Sequence, residues 1–194
     1  VADFAADFID QLTALASGEV HPGRPTRIPG LDRKLAGGFR DEQLVVIAAR
    51  PSVGKSSLAQ QLAQSSALDG IPAAFVGMEM TSRQLTNRTV ANLGRVSLTA
   101  LKTGVLEDDD WGRVTEGVEA LRTLPLYLHD QPAMTLGEVS SKARSLVRRS
   151  KIKLLVVDYL QLMKGNSKQD RRVQLEEITR GLKQLAKQLG ITVV

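Results

Sequence analysis

The segment Ala49-Arg50-Pro51-Ser52-Val53-Gly54-Lys55-Ser56 limits this chain's possible folds more than any other. It stands between an apolar run, Gln43–Ala49, and a helical pattern, Lys55–Leu68. A strand turning tightly into a helix directs successive N–H groups inward, as a nest for an anion, and the helix N-terminus adds positive potential. The spacing fits the Walker A pattern, with Ala49 where that pattern has its first Gly. Pro51 has no N–H, so the expected donors are the amides of Val53, Gly54, Lys55, Ser56 and Ser57. Gly54 lets the main chain approach a phosphate without a Cβ in the way. Lys55 would neutralise the β/γ oxygens of ATP, and the Ser56 hydroxyl would ligate Mg²⁺. The bland alternative is a Gly-Lys-Ser helix start that holds nothing.

Around this loop, short apolar runs alternate with helical patterns. The remaining strand candidates are Ala73–Gly77, Leu126–His129, Leu154–Asp158 and Ile191–Val194. The further helices are read over Ser82–Leu93, Asp109–Leu121, Leu136–Ser150 and Arg171–Leu189. In the last of these, Leu175, Ile178, Leu182, Leu185 and Leu189 recur at helical spacing. Strands alternating with helices predict an α/β domain with a mostly parallel sheet. Ahead of it, Phe4, Phe8, Leu12 and Leu15 mark an amphipathic helix over 1–17, and the Pro- and Gly-rich stretch 18–30 reads as a linker. The core is then expected over 31–194. The chain starts at Val1 and stops inside a β-like run, which reads as an excised, C-terminally truncated piece.

Composition removes several function classes. The 194 residues contain no cysteine, which excludes disulfides, Cys-based zinc sites and thiol catalysis, and suits a cytoplasmic protein. No apolar run is long enough to cross a bilayer, and the N-terminus lacks the basic start of a signal peptide. The net charge of +5 permits a nucleic-acid partner without demanding one. With four Phe, two Tyr and one Trp, a sheet that stacks bases is disfavoured, so such contact would be to phosphates. Charge is also unevenly placed: residues 1–20 carry Asp3, Asp7, Asp10 and Glu19 and no base, whereas 140–153 carry six bases and no acid.

Two acids complete the candidate site. Asp158 ends the apolar run Leu154–Asp158 in the Walker B manner, where it would hold Mg²⁺ through a water. Glu79 follows the run Ala73–Gly77 and is the candidate to orient and deprotonate an attacking water. Its alternative is a helix-start acid beside Thr81 and Ser82. Asp130, His21 and His129 are read as structural, and Met78, Met80, Met134 and Met163 as core fillers.

With these motifs the chain resembles the C-terminal ATPase domain of DnaB-type replicative DNA helicases, a RecA-like P-loop branch. The resemblance is carried by Ile28–Phe39, Ile47–Ser56, Gly77-Met78-Glu79-Met80 with Leu85 and Arg88, Leu126–Thr135 and, most distinctively, Val156–Met163. It implies a ring hexamer with ATP between subunits, movement on single-stranded DNA, and primase and a helicase loader as partners. It also implies that Lys55 and Ser56 contact phosphate and Mg²⁺, Glu79 is the base, Asp158 the metal-site acid, and the N-terminal helix docks on a neighbouring subunit. The family's γ-phosphate sensor and trans-acting basic finger fall beyond residue 194, so weak hydrolysis by this fragment alone is expected. The basic loop after the Walker B run suggests Lys164, Lys168, Arg171 and Arg172 as DNA phosphate contacts, against the alternative of a solvated loop. Two further readings stand beside the motor: a KaiC-like ATPase that never touches DNA, and a non-catalytic ATP-binding module that only oligomerises.

Overall fold

The computed structural model describes residues 2–20, 22–165 and 170–194. Its contacts divide the chain into two compact units, residues 1–40 and 41–194. In the first unit, helix α1 (Ala2–Ala16) precedes helix α2 (Pro29–Lys34). Arg24 and Phe39 form an antiparallel bridge, with reciprocal main-chain bonds of 2.7 and 2.8 Å. The Thr26 amide and hydroxyl both donate to Asp32 Oδ1, at 2.8 and 2.7 Å, which ties the Pro-rich approach to α2. The stretch expected as linker therefore ends in a helix that begins at Pro29, a residue suited to the first helical turn because it lacks only an N–H that would be unpaired there. Phe8 and Leu12 of α1 are exposed.

The second unit is a parallel sheet between helical layers. Its elements are α3 (Lys55–Leu68), β1 (Ala73–Gly77), α4 (Ser82–Gly94), α5 (Leu98–Thr103), α6 (Asp108–Thr123), β2 (Leu126–Asp130), α7 (Leu136–Ser150), β3 (Leu154–Asp158), α8 (Arg171–Leu189) and β4 (Thr192–Val193). The strand order is β2-β1-β3-β4, all parallel. Every residue of β1 and β3 is buried, as expected of strands covered on both faces. Ala74, Val76, Leu155 and Val157 face one core with Val139, Ala143 and Leu146 of α7 and Ile178, Leu182 and Leu185 of α8. On the opposite side α3 packs against β1 and β3.

One expected strand is not a ladder strand. Within Gln43–Ala49 only Leu44 forms a bridge, parallel to Val193. Val45 N–H donates to Val193 O and Val193 N–H donates to Gln43 O, both at 2.8 Å. The short helix α5 was not anticipated either; at six residues it shows no readable period.

The helix entries are held by local chemistry. At α7, Thr135 and Glu138 form a capping box: Glu138 N–H donates to Thr135 Oγ1 at 3.2 Å, and Thr135 N–H donates to Glu138 Oε2 at 2.7 Å. Those donations from the Thr135 amide and hydroxyl hold the Glu138 carboxyl below its ordinary range. Its contribution is present above the ordinary carboxylate pKa and lost as pH falls through the lowered value. Thr135→Ala should cost about 1 kcal/mol in urea denaturation at neutral pH. It should also move the Glu138 carboxyl part-way back up in an NMR titration, because only the hydroxyl donor is lost.

Candidate nucleotide and metal site

The strand register decides where the site lies. Gly77 of β1 stands level with both Asp130 of β2 and Asp158 of β3, so three strand ends reach one edge together. The segment 43–49 delivers its loop to the same edge, through the pairing of Leu44 with Val193. Ligands of open α/β sheets bind outside the carboxyl ends of the strands, which is this edge.

The loop is shaped by two left-handed residues, Ser52 at φ 64° and Gly54 at φ 99°. Gly54 is the N-cap of α3, and no side chain caps the helix. The first turn of α3 contains no acid, so its amides and positive end are left to an anion. A Cβ on Gly54 would meet no protein atom within 4 Å, so the glycine is required by its dihedral rather than by crowding. Within the loop Val53 N–H turns back to Arg50 O at 3.4 Å. That leaves the amides from Gly54 onward as the better-placed donors of the expected set.

A cleft of about 670 Å³ opens over this loop, and Pro51, Lys55, Ser56, Glu79, Arg88 and Tyr159 are among its lining residues. Half-buried Lys55 places its Nζ 3.7 Å from the centroid of the Tyr159 ring. Glu79 lies two residues beyond β1, exposed. The cap of α4 is Thr81 with Gln84, a capping box that does not use Glu79. Arg88 lies on the cleft wall and donates to Ser57 Oγ at 3.0 Å. A second, smaller cavity of about 160 Å³ adjoins the loop and is lined by Asp158 together with Ala49, Lys55 and Tyr159.

Asp158 is 3% exposed, and its Oδ2 has no hydrogen-bond partner. A buried carboxylate oxygen without a partner is costly, and a hard cation with oxygen ligands would satisfy it. Among the described residues no cluster of three or more His, Cys, Asp or Glu exists. The two expected ligands line different cavities, Ser56 the larger cleft and Asp158 the smaller one beside it, with Lys55 and Tyr159 common to both. A set of two fits Mg²⁺, which retains waters and takes its remaining ligands from phosphate.

The outlying candidates are placed differently. Asp130 Oδ1 accepts from Ser82 Oγ at 2.7 Å, and that bond holds the Asp130 carboxyl below its usual range, a link from β2 to α4. His129 Nε2 is buried without a partner, and burial lowers its pKa. Lys164 is exposed, while its amide donates to Met134 O at 2.9 Å. Lys168 and His21 lie outside the described residues. Arg172 is exposed and 3.4 Å from Glu176. Arg171 instead turns its guanidinium onto main-chain carbonyls of Leu160, Gln161 and Met163. Sequence reasoning assigned no site role to Tyr159, Gln161 or Arg88. The first two lay within the most distinctive motif, but nothing local to the sequence shows that they line a cleft.

Gly54→Ala should destabilise the fold by about 1–2 kcal/mol, the cost of forcing an L-residue to a left-handed φ. Equilibrium denaturation measures it; an unchanged midpoint would show that the loop relaxes to another turn.

Residues 23–194 match the family described as the DnaB-like helicase C-terminal domain. The replicative DNA helicase DnaB of Geobacillus stearothermophilus is 36% identical over 180 residues, which cover 91% of this chain and 39% of that protein. The replicative DNA helicase DnaC of Bacillus subtilis is 36% identical over 175 residues, covering 89% and 38%. The chain thus spans about two fifths of these relatives. Among solved structures, an ATPase domain superposes with a TM-score of 0.91 at 24% identity, covering 100% of this chain and 69% of that one. A DnaB-like replicative helicase, described with its primase interactions, gives 0.87 at 23%, covering 96% and 46%. Those two likenesses establish the RecA-like fold, and the relatives are helicases rather than KaiC-like ATPases. The chain belongs to the DnaB-like helicase C-terminal domain family.

Proposed function

We propose that this chain is the ATP-hydrolysing motor domain of a cytoplasmic replicative DNA helicase. The observation that carries the reading is the convergence of Lys55, Ser56 and Glu79 on one cleft, with the orphaned Asp158 oxygen beside it. The triphosphate lies along residues 49–57, received by the amides that open α3, with Lys55 bearing on its terminal phosphates. Ser56 and Asp158 would hold Mg²⁺, which would supply charge neutralisation at the β/γ oxygens. Glu79 takes the proton of the attacking water. Its carboxylate is free for this, because it caps no helix and is not a proposed metal ligand.

The wider assembly follows the family. The proposed ring is a hexamer in which α1 docks on the neighbouring subunit by its apolar face, where Phe8 and Leu12 stand exposed. Single-stranded DNA runs through the ring, and primase and a helicase loader bind the assembly. The proposed phosphate contacts are Lys164, Lys168 and Arg172. Arg171 belongs to the same loop stem, but its guanidinium is committed to carbonyls, so its part is structural.

Two experiments test this reading. Glu79→Gln should keep ATP affinity and lose hydrolysis by about 10²–10⁴-fold, measured as single-turnover phosphate release from the assembled helicase. Unchanged turnover would remove Glu79 as the base, and ATP binding without any phosphate release by the unaltered assembly would support a passive nucleotide module instead. Neutralising Lys164 and Arg172 together should reduce the slope of log affinity against log salt for single-stranded DNA by roughly 1.4, about 0.7 per lost contact. An unaltered slope would remove both from the DNA path.

A further inference from the structure

Arg171, the first residue of α8, turns its guanidinium onto several acceptors at once. Its Nη2 donates to Gln161 O at 2.8 Å, Met163 O at 3.3 Å and Leu160 O at 3.4 Å. Its Nη1 donates to Met163 O at 3.3 Å and to Gln174 Oε1 at 2.6 Å. The carbonyls belong to the short 3₁₀ turn Leu160–Leu162 and its exit, which directly follow Asp158 and Tyr159. Gly165 closes the knot from the other side: a Cβ there would come within 2.7–2.8 Å of the Gln174 side chain.

The same turn reaches the nucleotide cleft. Gln161 lines it, and Tyr159 carries the ring over which the Lys55 ammonium rests. Arg171, the turn, Tyr159 and Lys55 thus form one continuous set of contacts from the start of α8 to the phosphate loop. A planar guanidinium engages several carbonyls at once, which an ammonium cannot reproduce. A free lysine side chain loses much rotamer freedom when a ligand fixes it, and a ring that already holds the ammonium reduces that loss.

We propose that Arg171 and Tyr159 are positioning residues of the nucleotide cleft: Arg171 sets the 159–163 turn, and the Tyr159 ring pre-places Lys55 for the terminal phosphates. The proposal rests on the reading of Lys55 as a phosphate contact. It also gives the loop stem after β3 a physical route to the phosphate loop, without any contact between Arg171 and the nucleotide.

The test is a double-mutant cycle read by titrating a fluorescent ATP analogue, with magnesium, into the full chain, with thermal melting as a folding control. Tyr159→Leu should weaken binding about three- to fivefold, and Tyr159→Phe, which keeps a ring, should weaken it less. Arg171→Lys should weaken binding by a similar factor. Because Arg171 acts through Tyr159, the double variant should bind no worse than either single one. Losses that multiply, equal effects of Phe and Leu, or tighter binding without the ring would each overturn the proposal. Lys55→Ala separates the two levels. If it abolishes saturable binding while Tyr159→Leu is silent, only the positioning step fails; if it binds as the unchanged chain does, the phosphate reading itself fails.

Discussion

Everything in the site depends on the in-register parallel pairing of β1 with β3. Ala73 pairs with Leu154 and Gly77 with Asp158, so both strands end at one level. Met78 N–H then donates to Asp158 O at 2.8 Å, which extends the register one step past the strand. A shift of one residue would turn every side chain to the opposite face and bury Glu79 or expel Asp158. The buried β1 and β3 side chains resist that shift from both faces, since each face packs on helices. The core therefore fixes the level at which β1 and β3 end, and with it where Glu79 and Asp158 stand.

The order of the sheet adds a second consequence. The segment that leads into the phosphate loop pairs with β4 and not with β3, so β4 stands between residues 43–45 and the Asp158 strand. At the sheet edge Lys55, the first residue of α3, meets the ring of Tyr159, which follows β3, and both line each of the two cavities there. The cleft is thus a junction of non-neighbouring segments, held together by long side chains over a rigid sheet edge.

Much of this was legible in the residues. The helices Lys55–Leu68, Leu136–Ser150 and Arg171–Leu189 and the strands Ala73–Gly77 and Leu154–Asp158 have the bounds that their periodicity predicts. Each is long and strongly patterned, or bounded by residues that end it. The ladder expected over Gln43–Ala49 was not, because apolar character signals burial while pairing depends on a partner distant in sequence. The same limit hid the Arg171 knot. A basic residue in a polar loop reads as a phosphate contact, and only the folded turn shows three carbonyls within its reach. The placement of Asp158 and Lys55 at one sheet edge was legible because each closes a strand-and-loop pattern; the contact of Tyr159 with Lys55 was not, because it joins side chains about a hundred residues apart.

The charges of the cleft are held apart, and that arrangement favours a ligand that brings its own. Lys55 and Asp158 border the same cavity, yet among the described residues they form no ion pair with each other. Had they paired, an incoming triphosphate would have to break a partly buried salt bridge, which is strongly unfavourable once one partner is removed. Instead the ammonium rests on an aromatic face, a contact weak enough to leave or share, and the carboxylate keeps an unpaired oxygen. In the proposed site an anion carrying a divalent cation would complement both at once, its oxygens facing Lys55 and the amides of α3 and its metal facing Asp158. A phosphate group alone would leave the Asp158 oxygen without a partner, and a cation alone would leave the Lys55 ammonium on its ring, which is why the two charges are read together in the proposed site.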